Sequence, residues 1–490
     1  MKTSSWALLA IGLIFVLLSL TQIQSAAQGL EIIKIPDSDP PTTIIVPSTT
    51  QDETPPVILV GHGFAGSELL MRGFSFPLAK AGYTVVAWDF DGHGRNPRPY
   101  LQDMTRDTLV ANAEAALETA RAHGFVASDQ VAILGHSMGS GVALSFGVEH
   151  PGTAATIAIS PVPRAVTPSL PNNLLLMAGD LEPQFVENAE QLLADAGGAG
   201  GDPSLGNARE LMVISGVEHI SILFKAESHA VARDWLDKTF GQQPGAVDYR
   251  DRRMGWYGLG IVGVLLLGWA VTPFLNQTSS LHRSPQPLWR RLFAPVGGAL
   301  GALILLWILN RLGVKLDAPF GLVVGGYVLF WFSLAGLISL ALLGFRLPTL
   351  STRLLLSGAA AFAILWLGVG LLSNFVWIPW LLIPKRLILW PVGTLLTLPW
   401  FLAIAETLRG EGFLRRFAGW IGHSILLAAA FVLSMRLIPG LYVLILMLPL
   451  LPVLLGLVEL VTARLRGTWP FAISGALFLS WTLLAVFPIT

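Results

Sequence analysis

From residue 30 to about residue 240, short apolar runs alternate with amphipathic stretches, and beyond that point long unbroken apolar runs take over. The short runs are EIIKI (31–35), TTIIVP (42–47), PVILVG (56–61), YTVVAWDF (83–90), QVAILG (130–135), ATIAIS (155–160), NLLLMAG (173–179) and ELMVIS (210–215). Several are apolar at successive rather than alternate positions, the pattern of strands covered on both faces. Between them, helical patterning predicts helices over 67–81, 106–123, 138–150, 187–196 and 227–239. Strands alternating with helices predict an α/β domain whose sheet is mostly parallel. The first two strands, followed by the polar, Pro-rich link 47–56, fit an antiparallel edge.

After a polar connector, GQQPGAVDYRDRR and its neighbours (241–255), the runs lengthen to 256–275, 292–309, 320–344, 354–373, 387–405, 420–435, 438–460 and 471–488. These predict an all-α domain of about eight membrane spans over 256–490, the sixth a short one. The stretch Phe375–Ile383, with Pro379 inside it, reads as an interfacial or re-entrant piece. At the other end, Lys2 precedes the apolar run Trp6–Leu20, and Ser25-Ala26-Ala27 follows. Residues 1–27 are therefore either an export signal or an uncleaved anchor helix reaching Ile23, and both place the α/β domain (30–240) on the far side of the membrane.

Composition sharpens this division. The chain has 490 residues, 53% hydrophobic and 13% charged, with a mean hydropathy of +0.64, which is high for a water-soluble protein. Its zero net charge hides a split: 15 basic against 4 acidic residues from Trp256 onward, and 16 against 27 before it. Thirteen of the sixteen tryptophans lie in the later part, many near run ends, as an interfacial belt requires. With the α/β domain outside, the loops after spans one, three, five and seven face the cytoplasm. They carry ten Lys and Arg (Arg283, Arg290, Arg291, Arg346, Arg353, Arg409, Arg415, Arg416, Arg464, Arg466) against five opposite (Arg311, Lys315, Lys385, Arg386, Arg436), the expected bias, with Arg250, Arg252 and Arg253 of the connector on the outer side against it. The absence of cysteine excludes disulfides, thiolate metal sites and a cysteine nucleophile.

The chemistry concentrates in VAILGHSMGSGVAL (131–144). A lone G-x-S-x-G is a weak signal, but here it directly follows an apolar strand and opens a helix. That is the setting of a nucleophile elbow, which lifts the Ser137 hydroxyl from the sheet edge. The backbone N–H of Met138 then points at a developing oxyanion, and the loop HGFAGS (62–67) offers the N–H of Phe64 as a second donor. With DFDGHGRN (89–96) in between, this set resembles the α/β-hydrolase superfamily over residues 30–240. The resemblance implies an eight-stranded sheet and a triad in the order Ser, acid, His. GDLEPQF (179–185) supplies two carboxylates, Glu182 at the family's spacing with Glu in place of Asp, and Asp180 as the alternative. His219 in GVEHISIL follows the last strand, where the family's general base sits.

Other histidines read as structural or solvated: His62 and His136 in loops beside glycines, and His123, His150 and His229 on helices or their ends, exposed; His93, in the DGHGR turn, is open to a structural or a functional role. Only the dozen residues 161–172 separate the sixth and seventh strands, too few for a large lid. The glycine-rich loop 195–208 is flexible by composition and a candidate cover for the pocket. No cofactor, no metal and no nucleic-acid partner is expected; the partners are a small or lipid-like ester and the bilayer itself. Within the spans, Asn374, Glu406, His423, Arg436 and Glu459 are the polar exceptions, Glu406, Arg436 and Glu459 near span ends. The glycines of GGALGA and GLVVGG predict close helix packing. The sequence thus predicts a membrane-bound serine hydrolase of esters or thioesters. The alternatives are a transporter or flippase with an exported processing domain, and a catalytically silent binding fold.

Overall fold

The computed structural model describes residues 3–490 except 49–54, 102–105, 127–129, 276–285, 345, 409–411 and 466. Most of the link 47–56 and three of the loop arginines, Arg283, Arg409 and Arg466, lie outside the described residues. The chain separates into two compact units. One holds Thr21–Tyr257 together with Ser373–Pro379; the other holds the residues up to Leu20, Gly258–Leu372 and Trp380–Thr490.

The first unit is built on β1 (Leu30–Ile35), β2 (Thr42–Pro47), β3 (Val57–Gly61), β4 (Thr84–Trp88), β5 (Val131–His136), β6 (Ala155–Ile159), β7 (Leu174–Gly179) and β8 (Arg209–Ile214). They lie in the order β1-β2-β4-β3-β5-β6-β7-β8. Pairings β1–β2 and β2–β4 are antiparallel and all others parallel. All eight strands fall on the eight short apolar runs, and this is the α/β-hydrolase fold the motifs imply. The helices that follow the N-terminal α1 (Thr3–Ser25) are α2 (Arg72–Lys80), α3 (Arg106–Ala122), α4 (Met138–Glu149), α5 (Pro183–Asp195) and α6 (Ala226–Phe240).

The pleat explains why the central strands read as continuous apolar runs. Ile58, Val60, Ala132 and Ile157 face Phe74 of α2 and Trp235 and Leu236 of α6. Val57, Leu59, Val86 and Ile133 face Leu117 of α3 and Phe146 of α4. Both faces are dry, and each fully buried large side chain contributes about 1.5–3 kcal/mol. The edge strand β1, by contrast, has no fully buried residue.

Four expectations need correction. The helix predicted from Ser67 starts at Arg72. The residues before it form turns because the Glu68 N–H is taken by Asp89 Oδ1 at 2.8 Å and Ala65 holds a φ of +59°. Helix α5 starts at Pro183, four residues early, since proline suits a first helical position. The loop 195–208 does not cover the site: it leads into the N-terminal end of β8, and Asn173, just before β7, donates to Gly206 O. That is the opposite rim of the sheet. His229 is buried rather than exposed, edge-on to Phe74 with its Nε2 2.9 Å from Leu223 O.

The second unit is helical: most of α1, then α7 (Arg253–Leu275), α8 (Leu288–Arg311), α9 (Gly325–Leu343), α10 (Thr352–Val376), α11 (Pro384–Leu408), α12 (Phe413–Leu437), α13 (Met447–Val461) and α14 (Thr468–Val486). Among the described residues, nine helices are long and apolar enough to cross a membrane. The sixth of the eight that follow the α/β domain, α12, is 25 residues rather than short. Arg415 and Arg416 interrupt the apolar run but lie in the first turn of the helix, and Arg416 pairs with Glu459 of α13. His423 consequently sits mid-helix. Glycine does serve close packing: a methyl on Gly298 of α8 would collide with Ser339 and the Ala335 carbonyl of α9.

Candidate active site

The site lies at the C-terminal ends of β3, β5, β7 and β8, where parallel strands deliver their loops. Ser137 caps α4 at φ +52° and ψ −117°, a backbone region that costs a non-glycine residue about 1–3 kcal/mol. The turn is locked by contact rather than choice. A methyl on Gly135 would collide with Gly139 O, and one on Gly139 with the carbonyls of Gly61 and His62. The Ser137 N–H is held by Ile159 O at 2.9 Å.

His219, five residues past β8, reaches both partners assigned to it. Its Nε2 lies 3.0 Å from Ser137 Oγ, and its Nδ1 lies 2.8 Å from Glu182 Oε2. Glu182 is buried, and its other oxygen accepts from Ser160 Oγ and from the Gly179 N–H, both at 2.7 Å. A buried carboxylate with this many donors is held in one orientation. Asp180, the alternative acid, faces away: it accepts the Gly216 N–H at 2.7 Å and Ser215 Oγ at 3.0 Å, and so shapes the loop that carries His219.

The two expected oxyanion donors flank this group. Gly63 is packed against the elbow, since a Cβ there would lie 3.2 Å from Ser137 Cβ and 2.8 Å from His136 Nδ1. Phe64 follows it, its ring edge-on to His93 and Tyr100. The Met138 N–H heads α4, where a helix start presents unsatisfied donors. Neither amide has an acceptor among the described residues.

His62 and His136 are structural, as their glycine neighbours suggested. His62 accepts the Phe90 N–H on Nε2 at 3.1 Å and donates Nδ1–H to Gly63 O at 2.7 Å, joining two site loops in one neutral tautomer. Burial lowers its pKa below 6.5. His136 lies 2.9 Å from the His219 carbonyl through Nε2; burial, reinforced by His219, drives its pKa well below 6.5. Behind them, Glu68 is gripped by Arg72 and Arg95. Burial opposes the Glu68 charge, but the two arginines hold its pKa below the ordinary carboxylate range.

Three contacts were not anticipated: Ser160, His136, and Phe185, whose ring stacks on His219 at 4.3 Å between centroids. Ser160 ends a strand run at the rim that carries Ser137, and Phe185 lies three residues after Glu182. Those positions were the available signals. His136 carries none beyond its place before Ser137.

Residues 52–195 match the family model for serine aminopeptidase, S33. Over 103 residues the chain is 32% identical to an uncharacterised protein of Mycobacterium tuberculosis, covering 21% of this chain and 35% of that one. Over 139 residues it is 31% identical to epoxide hydrolase B of the same organism, covering 28% and 34%. The chain thus spans about a third of the length of the curated relatives it matches. Among solved structures, a predicted CIB-like hydrolase from Thermoplasma acidophilum aligns at 18% identity and TM-score 0.34, covering 42% of this chain and 97% of that one. An esterase from Pyrococcus furiosus aligns at 18% and 0.34, covering 44% and 94%.

Proposed function

From an α/β-hydrolase domain in the N-terminal part of the chain, we propose a membrane-bound serine hydrolase that cleaves an ester or thioester through an acyl-enzyme. The observation that carries this reading is His219 suspended between Ser137 Oγ and Glu182, at 3.0 and 2.8 Å. His219 Nε2 takes the Ser137 proton as Oγ attacks the carbonyl carbon, and Glu182 holds the ring and balances the imidazolium. The oxyanion forms against the N–H groups of Phe64 and Met138. Collapse expels the alcohol or thiol, protonated by His219. Water, deprotonated by the same nitrogen, then releases the acid and restores Ser137. Apart from substrate and water, every step uses side chains and amides of this chain. The link between β6 and β7 carries no helix, so access for a bulky acyl substrate is not lidded there.

We read the nine apolar helices as membrane spans, with the hydrolase unit extracytoplasmic; the charge bias of the loops and the N-terminal apolar helix support this. A second reading, a transporter or flippase with a processing domain, is supported by the eight helices after the connector, more than tethering needs. It predicts substrate movement across vesicles that survives Ser137→Ala.

The test is labelling of the purified full chain with a fluorophosphonate, beside Ser137→Ala. Labelling that vanishes in the variant is the expected result. A folded parent that stays unlabelled would overturn the hydrolase reading.

A further inference from the structure

The segment Ser373–Pro379, the last turn of α10 and the start of the link that follows it, packs as part of the hydrolase unit. Three polar ties hold it there. Ser67 Oγ donates to the Trp377 carbonyl at 3.3 Å. Arg253 Nη1 donates to the Phe375 carbonyl at 3.4 Å. Tyr257 OH lies 3.0 Å from Ser373 Oγ. Arg253 is itself fixed, buried against Asp251 at 2.7 Å with its guanidinium 4.5 Å over the Phe76 ring. Ser67 is buried and ends the loop that carries Phe64.

Between Phe64 and Ser67 stands Ala65 at φ +59°. A non-glycine residue keeps such a backbone only while its surroundings over-determine it. On the Ser67 side, the restraints include the Glu68 N–H to Asp89, the Leu70 N–H to the Ser67 carbonyl and the Ser67 hydroxyl to Trp377. Remove one and the loop can relax toward ordinary φ, turning the Phe64 N–H away from Ser137.

We propose that Ser67 is a positioning residue through which the α10–α11 connector holds the oxyanion loop in its working conformation. This rests on the serine-hydrolase reading above. It makes the hydrolase unit incomplete without residues 373–379, although those residues are far from the site in sequence.

The test uses the full chain in nanodiscs, a p-nitrophenyl ester, and turnover normalised to the serines titrated by a fluorophosphonate. Ser67→Ala should lower kcat per titrated site about three- to tenfold, the range of one neutral hydrogen bond, at unchanged KM. Ser67→Thr, which keeps the hydroxyl, should restore most of it. Loss of folded protein alone would change the number of titrated sites, not the kcat per site. Inserting one glycine between Trp377 and Ile378 should lower kcat per site in the same way. Unchanged kcat per site in Ser67→Ala or in the insertion, or a Thr variant as slow as the Ala variant, overturns the proposal. An unlabelled parent, or turnover that survives Ser137→Ala, refutes the underlying hydrolase reading and this proposal with it.

Discussion

Glu182 and Asp180 are two residues apart, yet only one faces the histidine. Glu182→Gln should lower kcat by about 10²- to 10⁴-fold, because a neutral amide can neither fix the tautomer of His219 nor balance its charge. Asp180→Asn should cost far less in kcat, since it disturbs only the Ser215–Gly216 turn. Ester turnover of the two variants compares them directly, and equal losses would refute the assignment. Ser137 makes a second residue-scale prediction. Its φ of +52° strains any side chain, so Ser137→Gly should melt a few degrees above Ser137→Ala, while neither takes a fluorophosphonate label. Differential scanning of the two variants reads this out.

At the scale of elements, the strands were legible because burial on both faces writes an unbroken apolar run. The meeting of Ser137, His219 and Glu182 was legible because a strand end fixes where each side chain emerges. Helix starts were less so. The pattern from Ser67 is helical, but backbone bonding of Glu68 to Asp89 delays the helix to Arg72, and no local signal announces a partner 21 residues away. The same limit hid Ser160 behind Glu182. In the apolar half, charge misled: Arg415 and Arg416 ended a hydropathy run without ending the helix. Steric fit at the elbow gives an element-scale prediction. Gly135→Ala should abolish labelling and destabilise the unit by about 3 kcal/mol or more, since backbone on both sides must move. Urea melts of the full chain followed by tryptophan fluorescence would show it.

At the scale of the whole molecule, three buried histidines set a pH limit. Burial lowers the pKa of His62, His136 and His229 below 6.5. The unfolded chain takes up these protons near pH 6.5 and the folded unit only at lower pH. Stability is therefore fully present above about 6.5 and falls below it, by about 1.4 kcal/mol per pH unit for each histidine until that group titrates in the fold. Thermal melts between pH 7.5 and 5 should show this slope, and His229→Gln should remove one proton from it. The absence of cysteine makes the natural chain a ready background for testing sidedness. With the hydrolase unit outside, Gln242→Cys should react with an impermeant maleimide on intact cells, and Arg353→Cys only after permeabilisation. The reverse pattern would invert the proposed orientation.

The placement of residues 373–379 within the hydrolase unit also sets a schedule. Residues 258–372 must be synthesised after Tyr257 before that piece exists. At about 5–20 residues per second, this takes roughly 6 to 23 seconds. During that interval α7, α8, α9 and most of α10 emerge from the ribosome, while the sheet is already complete in sequence. On the proposed bracing, the loop that carries Phe64 waits for residues 373–379, and a nascent chain that stalls before α10 carries Ser137 without that brace. On that proposal, activity is a late event of biogenesis, timed by the helices rather than by the domain that bears Ser137.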